Sequence, residues 1–235
     1  MTKNERTLCL GGDCDSVEVS TRVSPRAKKI TLKITGHKGV ELVIPKNVSD
    51  KQAMHFLYSK QDWIIEKSKR IGIKNRTLFE EGAQIPIQGN LYEIEYGGSI
   101  RGKTRLEGDK LIVCGERGVV AKRVRAFLQE LAKKEIAARA EVEAHKLGVK
   151  FNKITVRDTN SRWGSCSQKK NLSFSWRLVM APRDVLEYVV AHEIAHLIEM
   201  NHSKRFWNLV ESIFPEHQSS RKWLKDNGVM LHTYG

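Results

Sequence analysis

The string His192-Glu193-Ile194-Ala195-His196 lies inside a run in which Val185, Leu186, Val189, Val190, Ile194, Leu197 and Ile198 are apolar. Apolar residues at that density predict a helix, opened at Pro182, that is buried over much of its circumference. A polar side chain in such a helix needs a partner, since burying one alone costs roughly 1–3 kcal/mol. Residues four apart lie one above the other on a helix, so both imidazoles can reach one metal ion while Glu193 stands beside it. Zinc accepts such nitrogens readily. His202 follows six residues after His196. Asn201 before it tolerates the left-handed conformation with which helices often stop, and a helix ended there can fold His202 back as a third ligand. Three protein ligands leave the fourth position open, which distinguishes a catalytic zinc site from a closed structural one.

The remainder of the chain reads as α+β. Ile30, Leu32 and Ile34 alternate up to a turn at Gly36-His37-Lys38-Gly39, and Val40, Leu42 and Ile44 alternate on the way back, predicting a hairpin. Ser49 and Gln52 form a capping box for one helix of about six turns carrying Ala53, Phe56, Leu57, Trp63 and Ile64 on its apolar face, stopped at Gly72. Ile85/Ile87, Tyr92/Ile94/Tyr96 and Leu111/Val113 repeat the period of two between glycine-containing turns. From Val119 the period lengthens, and Val120, Val124, Phe127, Leu128, Leu131 and Ile136 mark a long helix ending near Gly148. These patterns predict a β-rich region with one inserted helix over residues 1–117, then a second region over 118–235. In the latter, a strand (Ile154 to Arg157), a polar loop (Asn160 to Cys166) and a second strand (Leu172 to Leu178) precede the His192 helix. Ser203 caps a further helix whose Phe206, Trp207, Val210, Ile213 and Phe214 read as core.

With 41 Lys+Arg against 27 Asp+Glu, the formal charge is +14, which draws in anionic partners without saying what is done to them. No run approaches the roughly 18 apolar residues of a membrane span, and Met1-Thr2-Lys3-Asn4-Glu5-Arg6 has no secretory character, so the expectation is a cytoplasmic protein without membrane contact. The four cysteines, Cys9, Cys14, Cys114 and Cys166, are then plain thiols. Cys9 and Cys14 have no second Cys/His pair at zinc-finger spacing to complete a set of four.

The run Ser161-Arg162-Trp163-Gly164-Ser165-Cys166, then Trp176-Arg177-Leu178, Ala181-Pro182, Tyr188-Val189-Val190, His192 to Leu197, Asn201-His202-Ser203 and Phe206-Trp207 resembles the YgjP-like family of metal-dependent hydrolases, which is related to zincin-type metallopeptidases. The resemblance extends more weakly over the hairpin and the Trp63-Ile64 helix. It implies a compact zincin core over residues 118–235, with His192, His196 and His202 as metal ligands and Glu193 as acid/base. The spacing to His202 is also that of metzincins, but Glu199 stands where their pattern has glycine. By the same resemblance, a peptide would lie along the strand Leu172–Leu178 if that strand were a sheet edge, with Arg177 free to pair with a substrate carboxylate.

Three functions compete. The first is a zinc hydrolase acting on a peptide or protein, with Glu193 as general base and Arg162, Tyr188 and His217 as candidate stabilisers of the developing oxyanion. The second keeps the metal and acts on a nucleotide phosphoester. Such enzymes commonly use two metals, and this cluster offers one acid. The third is a non-enzymatic nucleic-acid-associated protein using Arg22, Arg26, Lys28, Lys29 and Lys33, for which no recognition motif is present.

Overall fold

The computed structural model describes residues 5–10, 17–35, 39–71, 77–98, 102–159 and 161–235. The hairpin turn at Gly36-His37-Lys38, the helix stop at Gly72, Cys14 and Asn160 lie outside them. The chain forms two compact units, residues 1–76 and 77–235.

In the first unit, β1 (Glu5–Leu10), β2 (Val17–Ser24), β3 (Thr31–Thr35) and β4 (Gly39–Pro45) make one sheet in the order β1-β2-β4-β3. The hairpin β3–β4 pairs antiparallel with Leu32 opposite Leu42, and β4 runs parallel to β2 with Val40 opposite Val19. Val19, Val40 and Leu42 are fully buried beneath α1 (Asp50–Ser59) and α2 (Gln61–Ile71), which contribute Ala53, Leu57 and Ile64. The Ser49–Gln52 capping box forms as expected. The single six-turn helix does not: Lys60 takes φ −113°, and its N–H turns back to the carbonyls of Leu57 and Tyr58, which ends α1. The break turns Trp63 outward, 49% exposed, while Ile64 stays in the core. Arg22 pairs with Glu41 at 2.9 Å, so the basic run is already partly matched by acid on its own sheet.

The second unit opens with β5 (Gln84–Ile87), β6 (Asn90–Tyr96), β7 (Arg105–Glu107) and β8 (Lys110–Val113), ordered β5-β6-β8-β7. Next comes α3 (Val120–Lys146), about 40 Å long at 1.5 Å per residue. Its buried line, Val124, Leu128, Ala132, Ile136 and Ala140, recurs every fourth residue and packs in one core with Ile85, Ile87, Ile94 and Leu111. That shared core explains why the division falls at residue 76, whereas the change of period at Val119 had suggested 117. A change of period marks a change of element, and the small sheet cannot bury its apolar face without α3.

A three-stranded sheet of β9 (Lys153–Arg157), β10 (Gly164–Cys166) and β11 (Asn171–Ser175) follows, in the order β10-β11-β9. The strand expected over Leu172–Leu178 stops at Ser175, whose hydroxyl accepts from the Arg177 N–H and starts a 3-10 turn, Trp176–Met180. That strand is also the central one, antiparallel to β10 and parallel to β9, so it offers no free edge to a peptide. Arg177 is 1% exposed and fully engaged. It donates to Asp158 and to the carbonyls of Leu231 and Tyr234, and so clamps the chain's last residues instead of facing a substrate. α4 (Arg183–Ala195), α5 (Lys204–Ile213) and α6 (His217–Asn227) complete the unit. Among the described residues, no helix is long and apolar enough to cross a membrane.

Candidate metal centre

α4 runs through the interior, with Val185, Leu186, Tyr188, Val189, Val190, Ala191, Glu193, Ile194 and Ala195 all buried. Its polar residues are therefore held away from solvent by the packing of their neighbours. The helix ends at Ala195, earlier than Asn201. The next N–H groups turn back on the last carbonyls, Leu197 to Ile194 and Ile198 to Ala195, tightening the chain into a turn. Asn201 does not act through a left-handed backbone, since Gln88 and Lys170 alone among the described non-glycine residues have positive φ. Instead its Oδ1 accepts from the Ser203 N–H, and the Ser203 hydroxyl accepts from Phe206 to start α5. Two consecutive side-chain caps thus swing His202 back over α4.

The outcome is a triangle of imidazoles. The ring centres of His192, His196 and His202 lie 4.8–5.0 Å apart, and one nitrogen from each falls within 4.8 Å of the others. The Nε2 atoms of His192 and His202 are 3.1 Å apart. Two ligands about 2.05 Å from one zinc at the tetrahedral angle would be roughly 3.3 Å apart, so the trio fits such an ion. Nδ1 of His196 hydrogen-bonds the Glu199 carbonyl at 3.0 Å, an arrangement that makes Nδ1 the donor and leaves Nε2 a lone pair. Burial, reinforced by the neighbouring imidazoles and Arg221, pushes the His192 pKa down to about 3, and burial lowers that of His196. Neutral imidazoles are the form a metal binds. Phe206, fully buried, touches all three rings with centres 4.4–4.8 Å away, and Trp207 stands 5.9 Å from His192 and from His202. These two aromatics, read from sequence as core in preference to a pocket lining, form the wall of the site.

Glu193 is 5% exposed, and its carboxyl lies against β10. Burial raises its pKa to about 8, partly opposed by the positive charge of Arg162. Cys166 on the same strand is pushed up to about 11, first by burial and then by Glu193. Arg162 is exposed at the entry to β10 and acts on Glu193. Tyr188 is buried one turn before His192, ring edge to ring at 5.9 Å. His217 stacks on Trp207 at 5.6 Å and stands outside the triangle. Sequence reading gave Gly164 no role of its own and did not single out Arg221, and these come to the site from a short strand inside a polar loop and from a separate helix.

A family model described as YgjP-like, metallopeptidase domain, matches residues 28–227. The chain belongs to the YgjP-like family. Its membership makes this YgjP-like protein a metal-dependent, peptidase-like hydrolase at the level of class. The search of curated proteins gives no match. Two solved structures are similar over part of the chain. The metallopeptidase zymogen abylysin of Pyrococcus abyssi is 21% identical, covering 38% of this chain and 93% of its own, with a TM-score of 0.35. The metallopeptidase zymogen jannalysin of Methanocaldococcus jannaschii is 22% identical, covering 39% and 86%, with a TM-score of 0.34.

Proposed function

We propose that this YgjP-like protein is a zinc-dependent peptidase in which His192, His196 and His202 hold the metal and Glu193 is the general base. The supporting observation is the convergence of three imidazole nitrogens within 4.8 Å, one residue away from a buried carboxyl group. Zinc in that place is a Lewis acid, able to acidify water and polarise a carbonyl. Glu193 acts in its carboxylate form, which the charge of a bound metal would favour against the burial that raises its pKa, taking a proton from the attacking water and returning it to the leaving amine. It is not a ligand, because the position after His192 points about 100° round the helix. The Glu199 carbonyl holds the His196 ring by Nδ1. Of the candidate oxyanion stabilisers, Arg162 lends its positive charge to the Glu193 carboxyl group. Tyr188 lies edge-on to the His192 ring, and His217 stacks on Trp207 outside the trio. The peptide docks on β10, an edge strand beside Glu193, now that β11 is central.

The test is hydrolysis of peptide and nucleotide libraries by the wild type and Glu193→Gln in parallel, with metal content measured on both. Glu193→Gln keeps zinc and loses on the order of 100- to 10,000-fold in peptide turnover. Loss of zinc from the variant, or equal turnover, removes Glu193 from this role. Cleavage of nucleotides alone overturns the peptidase reading.

A further inference from the structure

Arg221 on α6 holds its guanidinium carbon 4.6 Å from the centre of the Trp207 ring, and that same ring lies 5.9 Å from both His192 and His202. A single indole is therefore shared by the Arg221 cation and two imidazoles of the triangle. Its neighbours on α6 are matched, Ser220 with Asp184 and Lys222 with Asp226, but among the described residues Arg221 has no ion-pair partner. An unpaired guanidinium within about one Debye length of a site suited to a metal cation has the wrong sign for holding that metal. The placement becomes favourable once an anion lies beside both. Among the described residues nothing hydrogen-bonds the Arg221 guanidinium, so its N–H donors are available to a carboxylate or phosphate in a two-point grip.

We propose that Arg221 is the receptor for an anionic group of the substrate, a carboxylate or phosphate carried next to the bond that is cut. It rests on the peptidase reading for the choice of substrate, which then is an acidic peptide held by a Glu or Asp side chain or by its C-terminal carboxylate.

The experiment is titration calorimetry on zinc-loaded Glu193→Gln protein, in which substrates stay intact, alone and combined with Arg221→Gln or Arg221→Lys. The probes are peptide pairs differing by Glu against Gln, pairs differing by a free against an amidated C-terminus, and phenyl phosphate. The anionic member of at least one pair binds about 10- to 100-fold more tightly to the Arg221 protein. Arg221→Gln abolishes that preference, Arg221→Lys keeps part of it, and zinc content is the same in all three. Which pair shows the preference identifies the side chain or the C-terminus as its source. Equal binding of every pair together with no phenyl phosphate binding, or a preference that survives Arg221→Gln, overturns the proposal. Phenyl phosphate bound in an Arg221-dependent manner, with no peptide bound, keeps the receptor and defeats the peptidase reading instead.

Discussion

Gly164 on β10 and Glu193 on α4 are in contact so close that a Cβ on the glycine would lie 2.6 Å from both Cγ and Oε1 of the glutamate. The backbone of Gly164 needs no positive φ, so glycine is required there for space and not for conformation. Gly164→Ala therefore displaces the carboxyl group while leaving the imidazole triangle in place. A displacement near 1 Å lowers kcat on the order of 100-fold with zinc retained. Steady-state kinetics with metal analysis on the same sample check this, and an Ala variant with full kcat would show that the carboxyl position is unimportant.

Zinc bound to the folded protein and not to the unfolded chain stabilises it by about 4 kcal/mol when present at a thousand times its dissociation constant. A chelator should then lower Tm by several degrees. In His202→Ala the chelator has little further effect, while His217→Ala, one aromatic layer away from the trio, keeps the full chelator-dependent shift. The reverse ranking of the two variants in thermal scans would make His217 the third ligand.

Cys166 has its thiol pKa raised to about 11, by burial first and by Glu193 second. The raised value keeps the thiol protonated and unreactive at neutral pH, and reactivity grows as pH rises toward 11. Iodoacetamide labelling followed by peptide mass spectrometry should show Cys166 modified slowly at pH 8 and with a midpoint well above that of an open thiol. Glu193→Gln keeps most of the shift, because burial is the larger cause. A labelling midpoint near 8.5 in the wild type would place the thiol in open solvent.

Arg177→Leu removes the donor to Asp158 and to two backbone carbonyls from a site where the side chain is 1% exposed. Breaking such a cluster costs about 3 kcal/mol, toward the low end of the range because Asp158 is 39% exposed. Urea denaturation should show that loss with zinc content unchanged. A stable variant with altered peptide selectivity would instead return Arg177 to the substrate.

What the sequence determined by itself was carried by contacts of four residues or fewer, although the local breaks at Lys60, Ser175 and Ala195 left no period to read. The α4 helix, the placement of His192 and His196 on one face of it, the Ser49–Gln52 box and the length of α3 all follow from local periods and caps, whose energies depend on near neighbours in the chain. His202 was legible as a third histidine at a workable offset, although the chain reaches it through a turn at His196 and two side-chain caps, not through a long helix stopped at Asn201. Tertiary structure alone decided the rest. Strand order put β11 in the centre and β10 at the edge, because period two says which face of a strand is buried and nothing about which strand lies beside it. The same holds for Gly164 against Glu193, for Phe206 and Trp207 as walls of the triangle, and for Arg221 over Trp207. Each of these depends on two elements meeting in the core, and a pairing between distant segments leaves no local period for a sequence to display.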